Sequence, residues 1–312
     1  MIVLDRCAQE LASVLLCDES VDPHGACVPM LRKKGEDSMH ISILCRFIQA
    51  FLLVLVGSSL LFSQNPPHVS DSPALALSSL ATAAMAGKTV EDLTLTGTAT
   101  RVAGSEKETG PATLKAMASG ETSMDVAFPS GRRTEVYALS PRGPQGAWTG
   151  PDGKPHPVSF HNLLVDPGWF APLLTLQRIN SQAQGVTVSF SGNVDRNGQS
   201  LNGLHGTLPV PGPDASRHPA WMLTLLQQAS QFDLYIDSAT MLPAEMAFNG
   251  HPDNDVRRDL PVRVRYSEYR AVNGIQVPFR IRKYVNNSLI LDVKIETAVF
   301  NTGLSASEFS VQ

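Results

Sequence analysis

The stretch VRVRYSEYRAVNGIQVPFRIRKYV, from Val262 to Val285, decides how this chain folds. On both sides of Asn273-Gly274, apolar residues alternate with charged or polar ones, and this period of two is typical of a strand with one buried face. An Asn-Gly dipeptide readily takes the positive φ angles of a tight hairpin turn. The stretch therefore predicts two antiparallel strands joined by a two-residue turn.

The same alternation continues along most of the chain. Leu289 to Ile295 predicts a third strand on the same apolar face, and Leu93 to Thr100, Ser123 to Phe128 and Val186 to Phe190 predict others further upstream. Four more turn dipeptides separate alternating runs: Asp152-Gly153, Asn197-Gly198, Asn202-Gly203 and Asn249-Gly250. Turns this short favour hairpin-connected antiparallel strands over parallel βαβ units.

Helical patterns interrupt the strands. Ser72-Pro73 is typical of a helix start and Gly87 of a helix end, with an apolar stripe between them. Further helices are predicted over Phe160–Val165, over Trp169–Arg178 and over Pro219–Ser230. We predict an α+β fold, in which a large curved antiparallel sheet carries a few helices on its concave side.

Composition excludes several functions. The 312 residues have a formal net charge of −4 and an isoelectric point near 6.1, which provides no basic surface for nucleic acid. No GxxxxGK[ST] or GxGxxG motif is found, and we predict no cofactor. All cysteines precede residue 46, so the core must be stable without disulfides.

The N-terminal region reads as a leader. The apolar run from Phe47 to Phe62 is too short for a membrane span but fits a signal-peptide core, with basic residues before it and small Ser63 at its end. Acidic residues 1–38 do not suit a signal peptide and favour a translation start at Met30 or Met39. We therefore assign 1–63 as leader, with the signal peptide at 39–63, and 64–312 as one exported, periplasmic domain.

Metal-binding patterns are incomplete. The segment from Asn193 to Gly198 resembles the first half of a calcium loop, but Leu204 stands where a carboxylate is required. A second acidic cluster contains two arginines and reads as a solvated loop; its members are His251, Asp253, Asp255 and Asp259. Cys7, Cys17 and Cys27 lack the CxxC spacing of a zinc site. We predict no metal site.

Catalytic motifs are also missing. The sequence has neither HExxH nor G-x-S-x-G, and Ser130 leads into a strand where a hydrolase nucleophile leads into a helix. A triad assembled from distant residues would not be visible in the sequence, so an exported hydrolase stays an alternative. We predict a protein that is not an enzyme.

Two groups of side chains are candidates for binding. Arg263, Arg265, Arg280 and Arg282 could bind phosphate or lipid headgroups, although ion pairing with Asp292, Lys294 and Glu296 on the next strand is the simpler interpretation. Large apolar side chains concentrate on the predicted helices and one loop, where they could line a cavity between lid and sheet. The predicted ligand-binding residues are Trp148, Trp169, Phe170, Trp221, Met222 and Leu225.

The last segments resemble a known family. YRAVNGIQVPF (Tyr269–Phe279), the strand Leu289–Ile295 and the tail Phe300–Phe309 resemble the closing β-segments of LolA-like proteins, the superfamily of the outer-membrane lipoprotein carrier. The opening helix and Pro129-Ser130-Gly131-Arg132 between two strands look like the same layout. The resemblance implies an incomplete β-barrel that closes over an apolar cavity under a helical lid.

The resemblance also implies a function. Members bind lipids or the acyl chains of lipoproteins, and relatives of the same shape act as envelope sensors. We therefore expect a periplasmic protein that binds a lipid or an acylated protein, with transient membrane contact. The alternatives are an interaction or sensor module with an envelope protein partner, and the hydrolase.

Overall fold

The computed structural model describes residues 69–140, 143–165, 168–182, 185–209 and 219–310. They belong to one compact unit, Pro66–Gln312. The predicted leader and its signal peptide lie outside the described residues, and the domain boundary at residue 64 stays a prediction. Within the described ranges, no helix is both long and apolar enough to cross a bilayer.

The strands form one antiparallel sheet. Its thirteen members are β1 (Asp92–Ala103), β2 (Glu106–Met117), β3 (Thr122–Phe128), β4 (Gly131–Ser140), β5 (Gly143–Thr149), β6 (Pro155–Pro157), β7 (Thr187–Arg196), β8 (Gln199–Thr207), β9 (Gln231–Asp237), β10 (Pro243–Gly250), β11 (Leu260–Val272), β12 (Ile275–Val285) and β13 (Ser288–Phe300). Strands that are neighbours in sequence are also neighbours in the sheet, except β6 and β7, which form its two edges, and β1 additionally pairs with β13. The sheet is therefore two meanders, β1–β6 and β7–β13, joined along the β1–β13 pair.

The sheet is open and curved. Its edge strands, β6 and β7, do not pair with each other. Helix α1 (Ser72–Met85) contacts both edge strand β7 and central strand β12, so the sheet curls around this helix. Helix α2 (Pro172–Ser181) packs on α1 and adds Leu173, Leu174 and Leu176 to the same core. The predicted α+β half-barrel is confirmed.

The remaining helices lie elsewhere. A 3-10 helix, η1 (Phe160–Leu164), packs on β5, and a second, η2 (Ala306–Phe309), buries Phe309 completely. Helix α3 (Ala220–Ala229) was expected on the sheet but packs on η1 instead. Its buried residues, Leu226 and Ala229, form a separate small cluster with Leu164. One side of α3 is therefore left exposed.

Both edges of the sheet are blocked. At β7, the backbone N–H of Val188 donates to the Ser70 hydroxyl (3.1 Å) and that of Phe190 to the Asp71 carboxylate (2.9 Å). The same Asp71 caps α1 by accepting from the N–H of Ala74 (2.7 Å), so the cap is one residue earlier than the predicted Ser72. At β6, prolines occupy two of three positions and cannot donate a ladder hydrogen bond.

Three of the five predicted turns are confirmed. Asn197-Gly198 and Asn273-Gly274 have positive φ at both residues, and Gly153 has φ of 67°. Asn202-Gly203 lies inside β8, where a Cβ on Gly203 would lie 2.2 Å from the Ser191 hydroxyl oxygen, so this glycine permits close strand approach. Asn249-Gly250 ends β10 without a hairpin turn.

Several turns and bulges were not predicted, among them the β12–β13 turn and a bulge in β7. Asn286 and Asn287, with φ of 48° and 65°, join β12 to β13, because asparagine also tolerates the left-handed region. A bulge between Phe190 and Gly192 interrupts the β7 alternation, and Phe190 is 41% exposed where the pattern predicted burial.

The outer face carries cross-strand ion pairs. Arg280 donates to Asp292 (Nε–Oδ1 3.1 Å, Nη2–Oδ2 2.8 Å), as the alternation predicts. Arg265 pairs instead with Glu245 on the other neighbouring strand (Nε–Oε2 3.0 Å), and Glu245 also accepts from Arg196. Glu245 is only 4% exposed, so two arginines compensate its burial. Lys294 and Glu296 stay exposed.

Asp92 ties the tail to the first strand. Its buried carboxylate accepts from the backbone N–H groups of Thr302 (2.8 Å), Gly303 (2.9 Å) and Leu304 (3.2 Å), and from the Thr302 hydroxyl (2.9 Å). Burial alone would raise the pKa of Asp92, but these hydrogen bonds outweigh it and hold the pKa below its ordinary value. The ionised form is therefore favoured by folding.

We predict that Asp92→Asn lowers the free energy of unfolding at neutral pH by about 1–3 kcal/mol, because an amide replaces an ionised acceptor of several hydrogen bonds. A lowered folded-state pKa stabilises the protein above the unfolded-state pKa of about 3.9, and this stabilisation is lost as pH falls through the folded value. Urea unfolding across acid pH should show the two proteins converging. A difference that stays constant with pH would contradict the assignment.

Candidate functional site

A cavity of about 290 Å³ lies on the concave side of the sheet. One wall comes from β4 and the other from β10 to β13, so the two halves of the curled sheet face each other across it. The apolar lining consists of Val136, Val158, Leu163, Val165, Trp169, Phe248, Leu260, Val262, Val285 and Ile290. The volume is near the lower end of the range for small-molecule sites, about 300–1,000 Å³.

Trp169 is fixed in the lining by the sheet. Its carbonyl accepts a hydrogen bond from the Tyr266 hydroxyl on β11 (2.6 Å). Its ring meets Phe170 edge-on, with centroids 5.5 Å apart, and the residue is only 3% exposed. The segment between η1 and α2 is thereby held at one position on the concave face.

Helix η1 lies over the cavity, and it and the preceding Ser159 are hydrogen-bonded to residues 251–253. The Asn162 amide donates to the His251 carbonyl (2.8 Å) and accepts from the His251 N–H (2.9 Å). Ser159 donates to Asp253, and His161 lies within 3.1 Å of the Pro252 carbonyl. We call this set, residues 159–162 with 251–253, the latch.

Gly146 allows η1 to lie close to the sheet. A Cβ at this position of β5 would stand 2.6 Å from Leu163 Cδ2 and 3.2 Å from the Val136 carbonyl oxygen. Leu163 lines the cavity from η1 and Val136 from β4. A larger residue at 146 would therefore lift η1 from the cavity.

Charged and polar groups also line the cavity. Glu135 and Lys283 line it together with Tyr137 and His251. The Lys283 ammonium lies 4.6 Å from the centre of the Trp169 ring, a cation–π distance. His251 is 7% exposed, with its Nε2 3.2 Å from the Asp259 carboxylate. The site therefore combines a mainly apolar lining with a few charged and polar groups.

The predicted binding residues are not brought together. Trp169 lines the cavity, whereas Phe170 lines a separate void of about 20 Å³ near Met85. Trp148 is 41% exposed and stacks on His156. It lies opposite Glu135 in the β4–β5 strand pair. Trp221 is 58% exposed on α3, Met222 packs against the small cluster around Leu226, and Leu225 lines an outer groove beside Gln228. Their role in binding stays a prediction.

The cavity also contains residues that the sequence analysis did not select. Lys283 and Val285 continue the inward alternation of β12 after buried Phe279 and Ile281. A lysine where the alternation predicts an apolar residue is a signal by which the sequence could have indicated Lys283. Leu163, Tyr137 and Ile290 gave no such signal, because their proximity depends on how far the sheet curls.

A larger groove of about 700 Å³ lies at the β7–β11 end of the sheet. It is open and mostly polar, and Arg196 stacks on Tyr235 within it at 3.9 Å. Burial and the nearby Asp233 carboxylate raise the pKa of Tyr235. The arginines here are largely engaged with Glu245 and Asn287, so the groove is a network of pairs along the outer face.

The candidate calcium segment forms a hairpin. Asp195 accepts from the N–H of Gly198 (3.0 Å) in the β7–β8 turn. Among the described residues, no group of three or more His, Cys, Asp or Glu side chains is arranged to hold a metal ion.

These features define a class: an open antiparallel half-barrel with a partly open, mainly apolar cavity on its concave face. No protein-family model and no curated protein matches the chain. Solved structures with similar folds include a LolA superfamily protein from Nitrosomonas europaea (14% identity, 76% of this chain and 97% of that chain, TM-score 0.47). LolA-like proteins are the superfamily that the closing segments of this sequence resemble.

Two other solved structures are similar to the same extent. A DUF1329 family protein from Desulfovibrio piger is 11% identical over 80% of this chain and 100% of that chain, with a TM-score of 0.46. A domain from Vibrio parahaemolyticus assigned to outer membrane lipoprotein sorting is 12% identical over 75% and 95%, with a TM-score of 0.47. At these identities the similarity concerns the fold.

We predict that Tyr266→Phe lowers the free energy of unfolding by about 1–3 kcal/mol and frees Trp169, because its carbonyl loses a buried donor. Tyr269→Phe is the matched control, since the Tyr269 hydroxyl donates to the Pro243 carbonyl (2.7 Å) instead. In a background with Trp148 and Trp221 changed to Phe, only Tyr266→Phe should shift Trp169 emission to longer wavelength. Identical emission from both variants would contradict the anchoring role.

Proposed function

We propose that this protein binds an apolar ligand, a lipid or the acyl chain of a lipoprotein, in the concave cavity, without catalysing a reaction. The observation that carries the proposal is the partly open cavity between β4 and β10–β13, whose lining is mainly apolar. A monomeric core of this size is normally close-packed, and voids larger than a water molecule are few. A cavity of this volume at the centre of the fold is therefore a candidate binding site.

Burial supplies the binding energy. Removing apolar surface from water contributes about 25 cal/mol per Å², so enclosing a few hundred Å² of acyl chain contributes several kcal/mol. Only part of this is gained when the ligand leaves a membrane, because the bilayer is equally apolar. Such a site suits transient holding and release.

Movement of η1 would widen access to the cavity. The latch consists of partly buried hydrogen bonds between η1 and residues 251–253, whereas Trp169 is held by a fully buried bond from the sheet. Local opening begins where few apolar contacts are broken. The function therefore includes opening of η1 with α3 attached to it through Leu164 and Leu226.

An exported, periplasmic location belongs to the same proposal and rests on the apolar run from Phe47 to Phe62. The alternative of an interaction or sensor module requires an interior that takes up no ligand. Native mass spectrometry of protein purified from membranes separates the two. A co-purifying lipid supports the proposal, and absence of both bound lipid and fatty-acid uptake would exclude it.

A cavity-filling variant tests the site directly. Val285→Trp should lower uptake of a fluorescent fatty acid at least tenfold, because the indole occupies the lining between β12 and the cavity centre. Val299→Trp, at a 46% exposed position on the adjacent strand, is the control and should bind normally. Thermal unfolding checks that both variants fold. Full uptake by a folded Val285→Trp protein would refute this location.

The latch can be loosened separately. Asn162→Ala removes both hydrogen bonds to the His251 backbone and should raise the ligand dissociation rate severalfold with a smaller change in affinity, since opening is easier in both directions. Stopped-flow transfer of a fluorescent fatty acid to vesicles measures this rate. Ser79→Ala, which removes an exposed hydroxyl contact to Asn180, serves as control. An unchanged rate in Asn162→Ala would show that η1 is not the gate.

A further inference from the structure

Lys283 occupies a position that the strand pattern reserves for apolar side chains. On β12 the inward residues Ile275, Val277, Phe279 and Ile281 are all buried, and Lys283 is the next residue on that face. It pairs with buried Leu291 on β13. The side chain therefore enters the concave face, where it lines the cavity.

The ammonium group has no carboxylate partner among the described residues. Among the lysines of the described ranges, Lys115 and Lys283 are half-buried and the others are exposed. Lys115 pairs with Glu308 at 2.6 Å, whereas the contact of Lys283 is the Trp169 ring at 4.6 Å. Half-buried arginines differ in this respect: Arg101 and Arg280 have carboxylate partners. Arg133 and Arg282 each keep a buried Nε without a hydrogen-bond partner, but neither lines the cavity. A half-buried cation without a counter-ion costs free energy unless something else compensates it.

The other charged groups at the cavity are arranged differently. Glu135 is exposed, so solvent screens its charge. His251 is turned toward Asp259, its own acidic partner. Among the described residues that line the cavity, Lys283 is the cation that is partly shielded from water and has no carboxylate partner, and it lies beside apolar Val285 of the same strand.

We propose that Lys283 binds the anionic headgroup of an amphiphile whose chain fills the apolar cavity. The headgroup is a carboxylate or phosphate placed beside the Trp169 ring, and the chain runs over Leu163, Val285 and Ile290. This proposal rests on the proposed function and adds the class of ligand: an ionised fatty acid or an anionic phospholipid rather than a neutral lipid. A charge-assisted hydrogen bond in a partly desolvated site is stronger than a neutral one.

Ligands that differ only in the headgroup test the proposal. Displacement of a neutral fluorescent probe, 1-N-phenylnaphthylamine, is measured with oleate and with oleyl alcohol at mildly alkaline pH, and with dioleoyl phosphatidate and dioleoylglycerol. The wild-type protein should prefer each anionic ligand by about tenfold, the size expected for a hydrogen bond to a charged group. Inorganic phosphate alone should displace no probe; displacement by phosphate would overturn the requirement for a chain.

Lys283→Met should abolish the preference by weakening the anionic ligands alone. The variant removes an unpaired half-buried charge and keeps a long apolar side chain, so it should fold at least as stably as the wild-type protein. Lys294→Met, an exposed lysine on neighbouring β13, is the matched control and should keep the preference.

The outcomes separate the two proposals. Equal binding of anionic and neutral ligands by the wild-type protein, or an unchanged preference in Lys283→Met, would overturn the role of Lys283 while cavity binding stands. Failure of the probe and of all four lipids to bind would overturn the proposed function itself.

Discussion

The structure depends on one constraint: the alternation of thirteen strands places most apolar side chains on a single face of a sheet that does not close. In a closed barrel the opposite walls fill the interior, but here β6 and β7 stay apart. The chain must therefore cover its own concave face with α1, α2, η1 and the segment containing Trp169. Close packing is achieved around α1 and α2, and the cavity lies where only η1 and a short loop cover the sheet.

The ion pairs on the outer face of the sheet contribute to the alignment of the strands. A slip of one residue would turn the apolar residues of a strand to solvent, so register must be strongly specified. Glu245 between Arg196 and Arg265, and Asp292 with Arg280, satisfy their partners in only one register. Buried or half-buried ion pairs add little net stability, but a mispaired Glu245 would be costly. The arginines of β11 and β12 are therefore better explained by alignment than by ligand binding.

Local rules predicted the strands, the main helix and the tightest turns, because these depend on residues close in sequence. Val262 to Ile295 shows the alternation so clearly that three strands and their shared face followed directly. The failures have tertiary causes: Gly203 serves close strand approach, Phe190 is exposed on edge strand β7, and α3 packs on η1 instead of the sheet. The sequence predicted a cavity between helices and sheet, but not most of the residues that line it. Trp169 meets Lys283 because the sheet curls, and no short sequence pattern encodes that curl.

The pairing of β1 with β13, reinforced by Asp92 and the tail, has a consequence for how the chain matures. Thr94 and Val299 lie side by side although about two hundred residues separate them, so the central seam cannot form until nearly the whole polypeptide is available. Contacts of such long range slow folding, since a large loop must close first. The complete sheet therefore cannot form while the chain is being synthesised. For the exported protein proposed above, this delay would keep the chain unfolded during passage through a translocation pore.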